Sequence, residues 1–120
     1  MPKRRVVITG MGIVSPVGNT ISDAWDNLLN GKSGITRITR FDASALASQI
    51  AGEVKDFDIT QYMIVKEARR MDIFIHYGMA AAMQAVKDAG IEDVINSKID
   101  PDRIGVNIGS GIGGLPMIEK

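Results

Sequence analysis

Cysteine is absent from the 120 residues of this chain, and histidine occurs once, at His76. The lack of cysteine excludes disulfide bonds and cysteine-ligated metal sites within these residues. It also excludes a cysteine nucleophile, and one histidine without a cysteine cannot form a Cys–His pair. His76 lies in a segment with a helical pattern, so the sequence predicts a packed or half-exposed helical residue there.

An excess of charge of one sign is also lacking. Fourteen lysines and arginines balance fourteen aspartates and glutamates, which gives a net charge of zero at pH 7. No field of the whole chain therefore attracts nucleic acid or an anionic membrane.

Long hydrophobic runs are missing as well. The basic start is followed by only three apolar residues, 6–8, which is too short for the core of a signal peptide. The apolar stretch around residues 78–82 is soon interrupted by Gln84, Lys87 and Asp88, so it cannot span a bilayer. The sequence therefore predicts a cytoplasmic protein.

Apolar runs predict two buried strands, at residues 4–9 and 104–108. Weaker patterns predict two short strands around residues 35–38 and 50–54. The two clear strands cannot cover the long buried helix that is also predicted, so the sequence indicates the N-terminal piece of a larger α/β protein.

Helical periodicity predicts a first helix that begins near residues 20–22 and ends at residues 30–31. The longest predicted helix runs from about residue 68 to 89, and Gly90 is its stop signal. Apolar residues cover most of its sides, so we expect it to be buried, with small residues that let neighbouring backbones approach. Another helix is expected after Gly114.

Residues 109–114 read G-S-G-I-G-G, which matches the G-x-G-x-x-G pattern of dinucleotide-binding turns. That fold also requires an acidic residue about 20 positions later, which would lie beyond Lys120. Two interpretations stay open. The glycines bind a phosphate, or they permit positive φ or a close approach to other backbone.

Lys66, Arg69 and Arg70 have the spacing of one helical face, at the predicted start of the long helix. Such a cluster is either a solvated face or a docking patch for an acidic partner. Cations are unfavourable near a helix N-terminus, and this favours a functional reason for the cluster.

Four stretches of the sequence, at residues 3–35, 41–42, 66–90 and 103–115, carry a resemblance to a known family. They resemble the N-terminal region of the type II β-ketoacyl-acyl carrier protein synthases, the condensing enzymes of bacterial fatty-acid synthesis. The resemblance is specific because V-x-T-G-x-G-x-x-S-P-x-G near residue 10 is followed by G-S-G-x-G-G about a hundred residues later. A polyketide-type condensing enzyme is the nearest alternative within the resemblance.

The resemblance implies a thiolase fold, with α-β-α-β-α layers built from two similar halves, in a homodimer. Residues 1–120 would form part of the N-terminal half. The implied reaction is decarboxylative Claisen condensation of malonyl-acyl carrier protein with an acyl thioester, with acyl carrier protein as the partner and with no cofactor or metal.

The same resemblance assigns roles to four residues. His76 does not correspond to either of the family's catalytic histidines. The resemblance places the catalytic cysteine and histidines outside these residues, so we expect the 120 residues alone to be inactive. Ile112 corresponds to the gate of the acyl-chain pocket, and Lys66, Arg69 and Arg70 correspond to the docking site for acyl carrier protein. The alternatives are a nucleotide-binding α/β domain that uses residues 109–114, or a carrier-binding fragment without chemistry.

Overall fold

The computed structural model describes residues 3–95 and 99–118. Its helices are α1 (Ile21–Leu29), α2 (Val65–Ala68), α3 (Ile73–Ala89), α4 (Glu92–Ile95) and α5 (Leu115–Ile118), and its strands are β1 (Ile35–Arg37) and β2 (Ile50–Gly52). Short 3-10 turns occupy Ile59–Gln61 and Pro101–Arg103. None of the helices in these ranges is long and apolar enough to cross a membrane.

Helix α1 forms where the sequence predicts it. Thr20 is its N-cap, and the Thr20 hydroxyl oxygen accepts a hydrogen bond from the Asp23 backbone N–H at 3.2 Å. Asn30 ends the helix. One side is packed, since Ala24 is 3% exposed, whereas Trp25 on another side is 59% exposed.

Strands β1 and β2 confirm the two short strands predicted from the weaker patterns. They pair antiparallel with Thr36 opposite Ala51. Directly after β2, the Glu53 carboxylate accepts hydrogen bonds from the Thr39 hydroxyl at 2.7 Å and from two backbone N–H groups. The Thr39 hydrogen bonds are the main reason that the pKa of Glu53 is lowered. The Arg40 guanidinium donates to the Tyr77 hydroxyl at 3.1 Å, which ties this hairpin to α3.

Helix α3 begins at Ile73, so the start predicted near residue 68 is wrong. Asp72 has extended backbone angles, and its carboxylate accepts the Ile73 N–H at 2.7 Å as an N-cap. An N-cap leaves the helical conformation, so α3 begins only after Asp72, and the residues up to Ala68 form the separate helix α2. The predicted end is confirmed, since Gly90 adopts a left-handed φ of 61°.

Segment 10–13 lies directly on α3. A Cβ atom placed on Gly12 would meet the carbonyl oxygen of Ala81, and one placed on Gly10 would meet that of Ala85. The close approach expected from the small residues of this helix is therefore present. This packing explains why residues 10 and 12 are glycines.

Gln84 of α3 fixes the surrounding loops through both ends of its side-chain amide. Its oxygen accepts the Ile13 N–H at 3.2 Å. Its nitrogen donates to the Asn19 carbonyl at 2.7 Å and to the Tyr62 hydroxyl at 2.9 Å. A single polar residue of α3 thus binds three loop residues that are each more than 20 positions away from it in the sequence.

The two strands predicted at residues 4–9 and 104–108 are not part of a sheet within the described residues. Their side chains are open to solvent, with Val6 91% and Val106 85% exposed. A strand requires a neighbour for its backbone hydrogen bonds, and no backbone hydrogen bond joins either one to another segment of the described ranges.

The long helix, predicted to be buried on most sides, is only partly covered by the described residues. Ala80 is fully buried, but Met79 and Met83 are 38% and 42% exposed. The described residues therefore cover one side of α3 and leave the other side open.

Candidate functional site

The three cations of the predicted docking patch lie on α2 and the turn that follows it, in what we call the basic segment, residues 66–70. Lys66 belongs to the helix, Arg69 is its C-cap, and Arg70 follows in the turn. All three are exposed. The sequence placed them at the N-terminus of the long helix, which is wrong because Asp72 begins that helix later. The unfavourable dipole that we expected for these cations therefore does not arise.

The basic segment is attached to α3 through Ala68. This residue is 5% exposed, and its carbonyl oxygen lies 2.8 Å from Nε2 of His76. A carbonyl oxygen can only accept, so Nε2 carries the proton and donates. The Met71 N–H donates to the same oxygen at 3.1 Å. His76 is therefore a half-buried helical residue, as predicted, with a defined hydrogen-bond partner.

The glycine loop, residues 109–114, contacts the first turn of α3 at its last two glycines. Gly113 has a φ of 72°, and a Cβ there would lie 3.1 Å from the Phe74 ring. A Cβ on Gly114 would meet the carboxylate of Asp72. Glycine is thus favoured at Gly113 by positive φ, and Gly114 lies in close contact with the end of the Asp72 side chain. The approach is to side chains, whereas we expected an approach to backbone.

The first two glycines of the loop are not constrained in this way. A Cβ on Gly109 or on Gly111 would meet no heavy atom within 4 Å in this structure. The side chain of Ile112 projects from the same part of the loop and is 74% exposed.

Asp72 joins the two features of the site. One carboxylate oxygen caps α3, and the other is buried against Gly114 with no hydrogen-bond partner among the described residues. The basic segment and the end of the glycine loop therefore both rest on the first turn of α3. Sequence reasoning missed this residue, although an aspartate directly before an apolar helical pattern is an N-cap signal.

An apolar recess of about 460 Å³ lies between α3 and the start of the glycine loop. It is lined by Phe74, Ile75, Gly78, Met79, Ile108, Gly109 and Ser110. These surfaces suit an alkyl chain, because they offer apolar contact and few polar groups. The side chain of Ile112 is in the same loop but does not line the recess.

The geometry of the loop disfavours the phosphate interpretation. A dinucleotide turn places the pyrophosphate against glycine backbone at a helix N-terminus. Here the carboxylate of Asp72 occupies the space beside Gly114. The negative charge of this carboxylate would repel a phosphate placed there.

No group of three or more His, Cys, Asp or Glu side chains that could hold a metal ion occurs in residues 3–95 and 99–118. A polar groove of about 510 Å³ lies beside the start of α1, and its charged lining residues are Lys32, Lys55, Asp23, Asp56 and Asp58. Because both signs of charge face this groove, it does not select a ligand of one charge.

Comparison with known proteins assigns the chain to a family. The family model described as the N-terminal domain of β-ketoacyl synthase matches residues 3–119. A 3-oxoacyl-acyl-carrier-protein synthase 2 of Vibrio harveyi is 56% identical over 119 residues, which are 99% of this chain and 28% of that protein. Proteins of the same name from Coxiella burnetii and Synechocystis sp. are 56% and 52% identical over 100% and 99% of the chain. The chain thus spans about 28% of the length of these relatives.

Solved structures give the same result. The ishigamide ketosynthase/chain length factor aligns with a TM-score of 0.64 at 33% identity, over 87% of this chain and 24% of that one. A type II polyketide ketosynthase, bound to its hexaketide and in complex with its acyl-carrier protein, aligns with a TM-score of 0.68 at 26% identity, over 94% of this chain and 29% of that one. The fold is accordingly a partial α/β unit of the thiolase-like ketosynthase fold, and the chain belongs to the β-ketoacyl synthase family.

Proposed function

We propose that this chain is part of a 3-oxoacyl-acyl-carrier-protein synthase, an acyltransferase that extends fatty acyl chains. The observation that carries the proposal is identity of 52–56% along 99–100% of the chain to three proteins of that name. In such an enzyme the 120 residues form part of the N-terminal domain. The proposal includes the cytoplasmic location expected from the sequence and a homodimer.

The proposed reaction has two stages. An acyl group first moves from the thiol of a carrier protein to a cysteine thiol of the enzyme, which releases the carrier thiol. Malonyl-acyl carrier protein then loses carbon dioxide, and the resulting carbanion attacks the acyl carbonyl and expels the cysteine thiolate. The nucleophile must come from outside these residues, because they contain no cysteine.

Within this proposal, the basic segment is the docking surface for acyl carrier protein. Lys66, Arg69 and Arg70 present three exposed cations within five residues, which suits an acidic partner that is attracted over a distance. One structural relative is recorded in complex with its acyl-carrier protein, which supports a carrier as the partner.

The glycine loop is proposed to admit the acyl chain, with Ile112 as the gate. Support comes from the apolar recess beside the loop, and from the absence of any other bulky side chain among residues 109–114. A Cβ on Gly109 or Gly111 would meet no heavy atom within 4 Å, so the part of the loop that carries Ile112 is not closely packed against the described residues.

The test uses the synthase that contains this chain, supplied with acyl-acyl carrier protein and malonyl-acyl carrier protein. Mass spectrometry should detect the 3-oxoacyl carrier product, with release of one carbon dioxide for each condensation. Malonyl-CoA in place of malonyl-acyl carrier protein is the control for the need for a carrier. Carrier binding without any product would instead support the alternative of a carrier-binding protein without chemistry.

A further inference from the structure

The proposed reaction assigns no role to His76, although this residue makes a well-defined hydrogen-bond contact in the site. His76 is in the first turn of α3, and its Nε2 lies 2.8 Å from the carbonyl oxygen of Ala68. Ala68 is the last residue of α2 and lies between the cations of the basic segment. The hydrogen bond thus joins the helix to the segment that carries the charges.

Helix α2 needs such a contact because it is weak by itself. It has four residues, Val65–Ala68, and its N-cap residue, Ile64, makes no side-chain capping hydrogen bond. A single helical turn is unstable in water unless tertiary contacts hold it. At its end, Ala68 is buried and its carbonyl oxygen accepts hydrogen bonds from the Met71 N–H and from His76, of which the one from His76 joins it to α3.

We infer that His76 is a positioning residue for carrier-protein binding, which fixes the orientation of the basic segment by donating its Nε2–H to the Ala68 carbonyl. This inference rests on the proposed docking role of Lys66, Arg69 and Arg70. A segment that is ordered before the partner arrives does not lose conformational freedom on binding, so its charges bind more tightly. The resemblance places the catalytic cysteine and histidines outside these residues, so we assign the effect of His76 to binding of the carrier rather than to the chemical steps.

The experiment compares His76→Leu with His76→Gln in the synthase that contains this chain. Leucine removes the donor and keeps an apolar side chain, whereas the glutamine amide can donate to Ala68 from a similar position. The rate of hydrogen–deuterium exchange in residues 64–71 measures how firmly the His76 hydrogen bond holds the basic segment. The KM for acyl-acyl carrier protein, divided by the KM for the same acyl group on pantetheine, measures the consequence for docking.

We expect His76→Leu to raise this KM ratio and to speed exchange in residues 64–71 by about 2- to 10-fold each, the range for loss of one neutral hydrogen bond. His76→Gln should stay close to the wild-type protein in both measurements. Thermal unfolding of the two variants checks that the histidine change has not unfolded α3, since unfolding would alter exchange along the whole helix.

Three outcomes separate the inference from the proposed function. Unchanged exchange in His76→Leu overturns the inference, whatever the carrier measurements show. Faster exchange with an unchanged KM ratio also overturns it, and the docking site stands if reversing the charges of the basic segment raises the KM ratio. If that charge reversal does not change the KM ratio, the proposed docking site is wrong, and the positioning role of His76 is then wrong as well.

Discussion

Ile112 is the residue on which the proposed acyl specificity depends. Its side chain is 74% exposed in a loop whose first glycines have open space around them. If it gates an apolar tunnel, its size controls how readily a long chain enters.

We predict that Ile112→Phe obstructs long acyl chains and spares short ones. An overfilled apolar site costs about 1–3 kcal/mol, which corresponds to roughly 5- to 150-fold discrimination between chain lengths. The measurement is the rate of enzyme acylation over a series of chain lengths. The control is Ile35→Phe, the same change at an exposed residue of β1. Equal loss at every chain length would remove the gate from the proposal.

The close packing of Gly12 against α3 leads to a prediction about stability. A Cβ at this position meets the carbonyl oxygen of Ala81 within α3, and a helix backbone cannot move aside easily. We expect Gly12→Ala to lower the free energy of unfolding of the synthase by about 1–3 kcal/mol. Gly105→Ala is the matched control, because a Cβ there meets nothing within 4 Å. Equal denaturation midpoints for the two variants would contradict the packing described for segment 10–13.

The residues show which features of the site the sequence could predict. The cluster of cations at 66, 69 and 70 could be predicted from the sequence, because charge and spacing are local properties. The contact between Asp72 and Gly114 is not, because it joins residues 42 positions apart and depends on how the loop returns to α3. For the same reason the pattern predicts a helical His76 but not its hydrogen bond to Ala68.

At the scale of elements, α1 and the β1–β2 pair were predictable because their signals are local. Thr20 with Asp23 marks the start of α1, and Gly90 marks the end of α3 through its left-handed φ. The start of α3 was misplaced because the N-cap signal of Asp72, directly before the apolar helical pattern, was missed. Strands at 4–9 and 104–108 require a partner for their backbone, which periodicity cannot supply.

The basic segment gives a prediction at this scale. Reversal of Lys66, Arg69 and Arg70 to Glu should raise the KM for acyl-acyl carrier protein and weaken its dependence on ionic strength, because exposed charges act mainly on association. The matched control reverses Lys3, Arg4 and Arg5, which are also exposed. Both triple variants change the net charge by the same amount. A similar KM for the two variants and the wild-type protein would show that the basic segment is only a solvated surface.

For the whole molecule, the surface is large for the size of the chain. The solvent-accessible area is 9973 Å², whereas a compact protein of this mass exposes roughly 6300 Å². The radius of gyration is 17.9 Å, against about 13.6 Å for a compact domain of this length. Among the described residues, the buried apolar side chains are four alanines, Ala24, Ala43, Ala68 and Ala80, and no large side chain is fully buried.

These dimensions predict how the 120 residues behave when they are purified by themselves. Hydrophobic burial is the main stabilising contribution to folding, and four alanines supply little of it. We therefore expect a broad unfolding transition in circular dichroism, binding of a hydrophobic dye, and an elution volume larger in apparent size than that of a compact 12.9 kDa protein. We also expect no malonyl decarboxylation or condensation, since the chain has no cysteine to accept an acyl group. The synthase that contains the chain is the control in each assay. A sharp cooperative transition of a monomer would show that the exposed faces of α1 and α3 need no cover, and turnover by the 120 residues would show that the nucleophile has been misassigned.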